Sequence, residues 1–308
     1  MKKKYSFAAL ILLFALVFAS CGENQKITPP EIEIPTNPLL FGTDQTLDIV
    51  TWNLREFPLT TNTISLLVDI IPQMEVEVFA VQEIMEPARL YELASYLPDY
   101  EALVYNYGTG WCLGYLYDST KVEFKNEYMI YTGMGRPFPR PPYVLKIGYE
   151  NQDYFLINNH FKALGDNYVD ESDDWDEEMR RREASALLEE YISTYLPDQR
   201  VIMLGDLNDQ IQEPRTTNVF LPFLDKPDDY LFATMPIALH PTYNTVSYPT
   251  YNSIIDHILI TNELFDDFDA AGKVCRVILV ENVLGGYSSY NSLISDHRPV
   301  GIRLGRAD

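Results

Sequence analysis

Short apolar runs rich in β-branched and aromatic residues recur along this chain, and each is too short to be a helix of ordinary length. The runs span residues 47–52, 78–81, 114–117, 154–158, 201–204, 254–260 and 275–280. Amphipathic segments lie between them, and residues 63–71 and 179–195 carry apolar side chains at the spacing of one helix face. Strands that alternate with helices predict an α/β fold.

Polar residues follow these runs where the strands are expected to end. They are Asn53, Glu83, His160, Asp206, Asn208 and Asp256. One polar residue at such a place is usually a cap or a turn former, but α/β folds also place their chemistry at strand ends. The set is rich in oxygen and contains no thiol, so it favours Mg²⁺, Mn²⁺ or Ca²⁺ over structural zinc.

The segment Ser295-Asp296-His297-Arg298-Pro299 puts a carboxylate beside an imidazole. Neighbouring side chains on a strand point to opposite faces, so both can serve one site only where the backbone turns. Pro299 favours a turn because it disfavours helix before it and cannot donate to a sheet ladder. A second pair, Asp256-His257, interrupts an apolar run, and we expect His257 to lie on the face of the strand away from Asp256.

The N-terminal residues form a targeting segment. Three lysines at positions 2–4 precede an apolar run over residues 7–18, which is followed by Ala19, Ser20 and Cys21. The pattern resembles a bacterial lipoprotein signal, which implies removal of residues 1–20 and lipidation of Cys21. The alternatives are a secretory peptide or a membrane anchor, but the apolar run is too short to cross a bilayer. We therefore expect a lipid-anchored protein of the bacterial cell envelope that faces the periplasm or the cell surface.

The segment after Cys21 is expected to be a tether. Residues 21–45 contain Pro29, Pro30, Pro35 and Pro38 and show no helical or strand periodicity, which is typical of an extended spacer. The remaining residues, 46–308, are enough for one large hydrophobic core. They are predicted to form a single folded domain.

Composition restricts the partners of the chain. It carries 23 basic and 45 acidic residues, a net charge of −22, which disfavours nonspecific nucleic-acid binding by a basic surface. Phosphate chemistry remains possible, because a divalent cation inverts the local charge balance. Cys112 and Cys275 lie in apolar, strand-like segments, and we expect two buried thiols rather than a disulfide.

Six segments resemble the ordered motifs of the endonuclease/exonuclease/phosphatase superfamily, in its deoxyribonuclease I-like form. They are Thr51-Trp52-Asn53-Leu54-Arg55, Val81-Gln82-Glu83, Asn159-His160-Phe161, Gly205-Asp206-Leu207-Asn208, Ile255-Asp256-His257-Ile258 and Ser295-Asp296-His297-Arg298-Pro299-Val300. The resemblance implies a four-layer α/β/β/α sandwich of two packed mixed β-sheets with helices outside. It also implies hydrolysis of phosphate esters with a divalent metal.

The resemblance implies a metal site formed by carboxylate and amide side chains. Glu83 matches the principal ligand of the family, and Asn53 and Asp296 match residues close to the ion. Mg²⁺ suits such a site, with Mn²⁺ or Ca²⁺ as alternatives, because Mg²⁺ keeps several waters and is held by one or two carboxylates plus substrate phosphate.

The resemblance also assigns the proton-transfer groups. His297 matches the catalytic histidine, which Asp256 would position. Asp206 and Asn208 would orient the attacking water and stabilise the transition state. His160 resembles a second histidine of the deoxyribonuclease I branch, which can protonate the leaving oxygen. Which of these groups is the base and which the acid stays open.

Three cationic side chains are candidates for binding the substrate phosphate. Arg55 resembles the deoxyribonuclease I residue that faces the phosphate backbone. Lys162 and Arg182 belong to a basic cluster that flanks the acidic segment before the second predicted helix. Met85 stands where deoxyribonuclease I carries an arginine for the minor groove, which argues against binding of double-stranded DNA.

These observations predict an exported, metal-dependent phosphodiesterase, first of all a nuclease acting on DNA or RNA as a monomer. A phosphoesterase that acts on a phospholipid headgroup, as a sphingomyelinase does, is the alternative. A third hypothesis is a surface binding protein that has lost catalysis, which the full set of matched acids and histidines disfavours.

Overall fold

The computed structural model describes residues 37–306 except 107 and 109. In this part of the chain, the strands are β1 (Thr46–Phe57), β2 (Val78–Ile84), β3 (Tyr100–Val104), β4 (Cys112–Asp118), β5 (Glu123–Met129), β6 (Tyr143–Tyr149), β7 (Gln152–His160), β8 (Arg200–Asp206), β9 (Tyr230–Phe232), β10 (Asp256–Thr261), β11 (Cys275–Val277) and β12 (Val300–Gly305). They form two six-stranded sheets, ordered β11-β12-β1-β2-β4-β3 and β5-β6-β7-β8-β10-β9. The pairs β1·β2 and β7·β8 are parallel and the other pairs antiparallel, so both sheets are mixed.

Most of the helices cover the outer faces of the sheets, whereas α6 packs against the cluster between them. They are α1 (Thr63–Met74), α2 (Pro87–Ser95), α3 (Glu177–Tyr195), α4 (Leu221–Leu224), α5 (Met235–Leu239), α6 (Phe265–Ala270) and α7 (Tyr287–Leu293). One core cluster joins the first sheet to α1, α2 and α7, and a second joins the other sheet to α3 and α4. A third cluster lies between the two sheets. The predicted four-layer α/β/β/α sandwich is confirmed.

The central strands are buried on both faces, which explains their continuous apolar runs. In β8, Val201 and Met203 pack under the outer helices, whereas Ile202 and Leu204 pack between the sheets. This alternation follows from the two-residue period of a strand. Because Asp206 is the last residue of β8, it lies at the edge of the sandwich.

The folded domain begins earlier than residue 46. Leu39 and Phe41 are fully buried in the core cluster of the first sheet. Residues 37–45, assigned above to the tether for their proline content and lack of periodicity, therefore belong to the domain. The predicted signal peptide (1–20), Cys21 and the tether up to residue 36 lie outside the described residues.

Cys112 and Cys275 are free thiols; Cys112 is buried as expected, whereas Cys275 is only half-buried. Among the described residues, no helix is both long enough and apolar enough to cross a membrane.

Candidate active site

The register of the paired strands places the predicted site residues at one edge of the sandwich. His160 at the end of β7 pairs with Asp206 at the end of β8, and Asp206 pairs with Asp256 at the start of β10. In the other sheet, β1 and β2 run parallel, so Asn53 and Glu83 also reach a common edge. A cleft of about 470 Å³ opens there. It is lined by, among others, Arg55, Glu83, His160, Asp206, Asn208, Asp296 and His297.

Asn53 connects the two sheets at the base of this cleft. Its side-chain amide donates hydrogen bonds to Glu83 Oε1 at 3.0 Å and to Asp206 Oδ2 at 2.9 Å. Its Oδ1 accepts the Arg55 backbone N–H at 2.9 Å. Asn53 is fully buried and all of these bonds are short, so it fixes the spacing of the two carboxylates.

His297 and Asp256 form a buried ion pair. Nδ1 of His297 lies 2.8 Å from Asp256 Oδ2, and Nε2 faces Asp206 Oδ2 at 3.9 Å. Burial alone would lower the pKa of His297, but the carboxylates of Asp256, Asp206 and Asp296 outweigh it and raise the pKa to about 10. The ring is therefore a cation at neutral pH, with its orientation set by Asp256.

His160 has the opposite charge state. Its Nε2 lies 3.6 Å from Asp206 Oδ2 and 3.9 Å from Glu83 Oε1. Burial, with the positive charges of Arg140 and His297 adding to it, holds the pKa of His160 well below its usual value. Burial also raises the pKa of Asp206 to about 7, although His297 opposes this. The cleft thus combines a neutral imidazole, a charged imidazole and a weakly acidic carboxyl group.

Ser295 holds the turn that separates Asp296 from His297. Its hydroxyl donates to the Asn53 carbonyl at 2.6 Å and accepts the His297 N–H at 3.0 Å. The Tyr290 hydroxyl accepts from Trp52 Nε1 at 2.8 Å and donates to the His297 carbonyl. The turn lets both Asp296 and His297 line the cleft, as the sequence analysis required.

Three of the site residues predicted from the sequence have a strained backbone. Arg55, Glu83 and Asn208 have φ angles of 40°, 62° and 53°. Each such conformation costs on the order of 1–3 kcal/mol for a residue other than glycine, and such strain clusters at functional sites. Local hydrogen bonds hold two of them: Glu83 Oε2 accepts the Glu56 N–H at 3.0 Å and Asp206 Oδ1 accepts the Asn208 N–H at 3.0 Å.

The sequence matches the profile of the Endonuclease/Exonuclease/phosphatase family over residues 50–297. The chain belongs to this family. The matched range contains each side chain of the cleft described above. A search of curated proteins finds no match at a significant level.

Solved structures of the family share the fold. D. rerio TDP2 in complex with a single-strand DNA product has a TM-score of 0.62 at 16% identity, with 85% of this chain and 100% of that chain covered. A Bacteroides vulgatus endonuclease/exonuclease/phosphatase has a TM-score of 0.60 at 14% identity (85% and 99% covered). The human Nocturnin catalytic domain with bound sulfate has a TM-score of 0.59 at 13% identity (84% and 93% covered).

The donor set of this family member fits a divalent cation. Glu83, His160 and Asp206 offer ligand atoms that all lie within 4.8 Å of one another. Asp206 is buried beside the carboxylates of Glu83 and Asp256, which raise its pKa further. A cation there would offset the repulsion between these acids and keep Asp206 ionised. The carboxylate oxygens of Glu83 and Asp206 are hard ligands that suit Mg²⁺, Mn²⁺ or Ca²⁺.

The three predicted phosphate-binding cations have different positions. Arg55 lines the cleft, where its Nε lies 3.9 Å from Asp296 and its guanidinium donates to Asn291 Oδ1 at 2.7 Å. Lys162 lines an adjoining cleft. Arg182 is not brought to either cleft and pairs with Glu171 at 3.0 Å. Arg182 and Arg180 differ in position because neighbouring helix positions point about 100° apart.

His257 lies away from the cleft, as expected from strand alternation. It is fully buried, with Nδ1 3.0 Å from Thr234 Oγ1 and Nε2 3.0 Å from the Asp209 carbonyl. Burial lowers the pKa of His257 to about 4. It is a neutral structural residue.

Three aromatic cleft residues were not found from the sequence: Trp111, Tyr248 and Tyr251. They lie on loops outside the apolar runs, and tyrosine is frequent in this chain, so composition did not distinguish them. They are recognised as site residues only because they line the same cleft as His297 in the folded structure.

Proposed function

We propose that this protein is a divalent-metal-dependent phosphodiester hydrolase, and specifically a nuclease that acts on DNA or RNA. The observation that carries the proposal is the Asp256-His297 ion pair, which faces Glu83 and Asp206 across one cleft. Phosphodiester hydrolysis needs charge stabilisation at the phosphoryl oxygens, an activated water and a protonated leaving oxygen. This cleft offers a group for each task.

The charged imidazole of His297 is suited to contact an anionic phosphoryl oxygen, with Asp256 holding its other nitrogen. Asp206, a carboxylate that a bound cation would keep ionised, is suited to orient the attacking water. Neutral His160 can relay a proton from its position 3.6 Å from Asp206. A divalent cation, when bound by Glu83 and its neighbours, would polarise the phosphoryl group as a Lewis acid.

A basic cleft beside the active site supports a substrate with more than one phosphate. Its volume is about 410 Å³, its lining includes Arg140, Lys162 and Arg180, and it shares Trp111 and Ala163 with the catalytic cleft. Lys162 pairs with Glu177 at 3.2 Å, and Arg140 lies over the ring of Trp111. In a chain with a net charge of −22, this local excess of cations favours a polyanionic substrate over a single phosphate ester.

The test is an activity screen of purified mature protein with Mg²⁺, Mn²⁺ or Ca²⁺. Single-stranded DNA, duplex DNA, RNA, sphingomyelin liposomes and inositol phosphates are offered to the wild type and to His297→Ala. We expect cleavage of nucleic acid by the wild type alone, abolished by EDTA. Hydrolysis of lipid or inositol phosphate without cleavage of nucleic acid would contradict the nuclease assignment.

A phospholipid headgroup is the second candidate, because one loop beside the cleft exposes large apolar side chains. Leu164, which lines the cleft, is 81% exposed, and Tyr168 and Trp175 are each 64% exposed. Such side chains can enter a lipid interface. The many carboxylates of the same loop would oppose binding to anionic lipid, so sphingomyelin is the appropriate probe.

We propose further that the protein is exported and anchored by a lipid on Cys21. The lysines, the apolar run and the small residues before Cys21 support this. Metabolic labelling with radioactive palmitate should mark the wild type and not Cys21→Ser. Equal labelling of both proteins would contradict the anchor.

A further inference from the structure

Two tyrosine rings stack outward from the catalytic histidine. Tyr248 lies on the imidazole of His297, with ring centroids 4.7 Å apart and planes at 28°. Tyr251 stacks on Tyr248 at 5.4 Å, also at 28°. Both tyrosines line the catalytic cleft, and Tyr251 is 75% exposed. An exposed aromatic surface therefore lies two rings away from His297.

The loop that carries these rings is held in place by hydrogen bonds. Tyr248 and Ser253 exchange two backbone hydrogen bonds of 2.9 and 3.2 Å around the short 3₁₀ turn Pro249–Tyr251. The Thr250 hydroxyl lies 3.4 Å from the Tyr287 hydroxyl, which donates to the Asp296 carbonyl at 2.9 Å. The platform is thus tied to the catalytic turn, so a ligand that stacks on it meets a preformed surface and little ordering cost.

We propose that Tyr251 and Tyr248 form a stacking platform for an unpaired nucleobase of the substrate, next to the phosphate that His297 contacts. The inference rests on the proposed nuclease function and narrows its substrate to single-stranded nucleic acid. Every base has a π-face and stacks on an aromatic ring whatever its sequence. A base inside a duplex has both faces covered by its neighbours, so it cannot use the platform without leaving the stack.

The surroundings of the platform favour a base over an acyl chain. An acyl chain gains most from an apolar groove. The catalytic cleft is instead lined mainly by charged and polar side chains, including Arg55, Glu56 and Ser253. A planar ring with polar edges suits a stacked aromatic surface in such a setting.

The test compares three substrates of equal length with bound Mg²⁺: a single-stranded DNA oligomer, a single-stranded RNA oligomer, and a DNA backbone in which tetrahydrofuran residues replace the nucleosides. The wild type should cleave the base-bearing oligomers with kcat/KM roughly 5- to 100-fold above the base-free backbone. Tyr251→Ala should bring this ratio close to one, chiefly because KM for the base-bearing oligomers rises. Tyr251→Phe should leave the ratio unchanged. The DNA and RNA arms show which sugar the site accepts.

Tyr195→Ala is the matched control. Tyr195 is 69% exposed and stacks on Tyr191 at 5.2 Å, but it lies at the end of α3 and does not line the cleft. Its substitution should leave the ratio unchanged. The platform would be contradicted by any of three results: a wild-type ratio of base-bearing to base-free kcat/KM near one, an unchanged ratio in Tyr251→Ala, or an equal loss of activity on all three substrates. None of these results would contradict the nuclease function. If the wild type cleaved no oligomer at all, both the proposed nuclease function and the platform would be contradicted.

Discussion

At the scale of single residues, three histidines of this chain have three different electrostatic environments. His297 is surrounded by Asp256, Asp206 and Asp296, which raise its pKa to about 10 in spite of its burial. Burial, with the positive charges of Arg140 and His297 adding to it, holds the pKa of His160 well below the usual value. His257 is buried between a hydroxyl and a carbonyl, and its pKa falls to about 4. Their chemistry depends on neighbours that are distant in sequence.

Asp256→Asn tests the ion pair behind His297. Removal of the carboxylate should lower the pKa of His297 and reduce kcat/KM by about 10²- to 10⁴-fold, the range expected for a positioned proton-transfer group. The alkaline limit of activity should move to lower pH. Proton NMR of the His297 ring and a pH profile of kcat/KM would measure both effects. An unchanged profile would contradict a role of Asp256 in setting the charge of His297.

His257→Gln tests the effect of a buried neutral histidine on acid stability. Its folded-state pKa of about 4 lies below the unfolded value of 6.5, so between these values the unfolded chain binds a proton that the folded chain does not. Stability should therefore fall as pH drops through this window, by up to about 3 kcal/mol from this residue. Urea unfolding from pH 7 to pH 4 should show a shallower decline for His257→Gln than for the wild type. Equal slopes would rule out this contribution.

At the scale of elements, the apolar runs predicted several central strands and one edge strand, β11, but not the edge strands β3, β5 and β9. The runs at 47–52 and 201–204 became β1 and β8 because both faces of these strands need apolar side chains. β5, at the edge of its sheet, is mostly exposed and reads Glu-Phe-Lys-Asn-Glu-Tyr-Met, so it has no apolar run. In β12, Gly301 interrupts the apolar run. A side chain is excluded there because a Cβ would lie 2.6 Å from the ring of Phe41.

Helix periodicity predicted the location of α1 and α3, with one end of each. The segments 63–71 and 179–195 correspond to α1 and α3. α3 begins two residues earlier because Asp176 caps it, accepting the Met179 N–H at 2.8 Å. Among the arginines at its start, Arg181 is buried between Asp209 and Glu178.

Ser295→Ala tests the turn between α7 and β12. The substitution leaves the buried His297 N–H without its acceptor and the Asn53 carbonyl without the hydroxyl, which should cost about 1–3 kcal/mol. The activity should fall as well, because the position of His297 depends on this turn. Urea unfolding and kcat measure the two effects. Ser292→Ala is the control, since the exposed Ser292 bonds only to the Ser289 carbonyl within its own helix, and it should be nearly neutral.

At the scale of the whole molecule, a net charge of −22 repels anions, so binding of an anionic substrate depends on the local charge of the cleft. Glu83, Asp206, Asp256 and Asp296 gather at one edge and repel one another and a phosphate alike. A divalent cation would reverse this, and Arg140, Lys162 and Arg180 would extend the positive region next to it. Binding of a polyanion by this molecule should therefore depend on bound metal.

Metal binding can be measured without activity. Mg²⁺ at 100 times its Kd should stabilise the folded state by about 2.7 kcal/mol, seen as a higher Tm, and EDTA should remove the effect. Glu83→Gln should abolish the shift, whereas Asp170→Asn, in the exposed loop before α3, should retain it. NaCl at matched ionic strength separates specific binding from general screening of the acidic chain. A shift of equal size in NaCl would contradict a metal site in the cleft.

The sequence by itself determined the α/β class, the buried strands and the polar residues at their ends, because burial on both faces leaves a pattern within a few neighbouring positions. From these it also indicated the residues of one site, which strand register then gathered around Asp206. Only the tertiary structure decided which cations reach the cleft, which histidine is charged, and that Tyr248 and Tyr251 stack on His297. These properties depend on distances between side chains far apart in the chain, which no local pattern encodes.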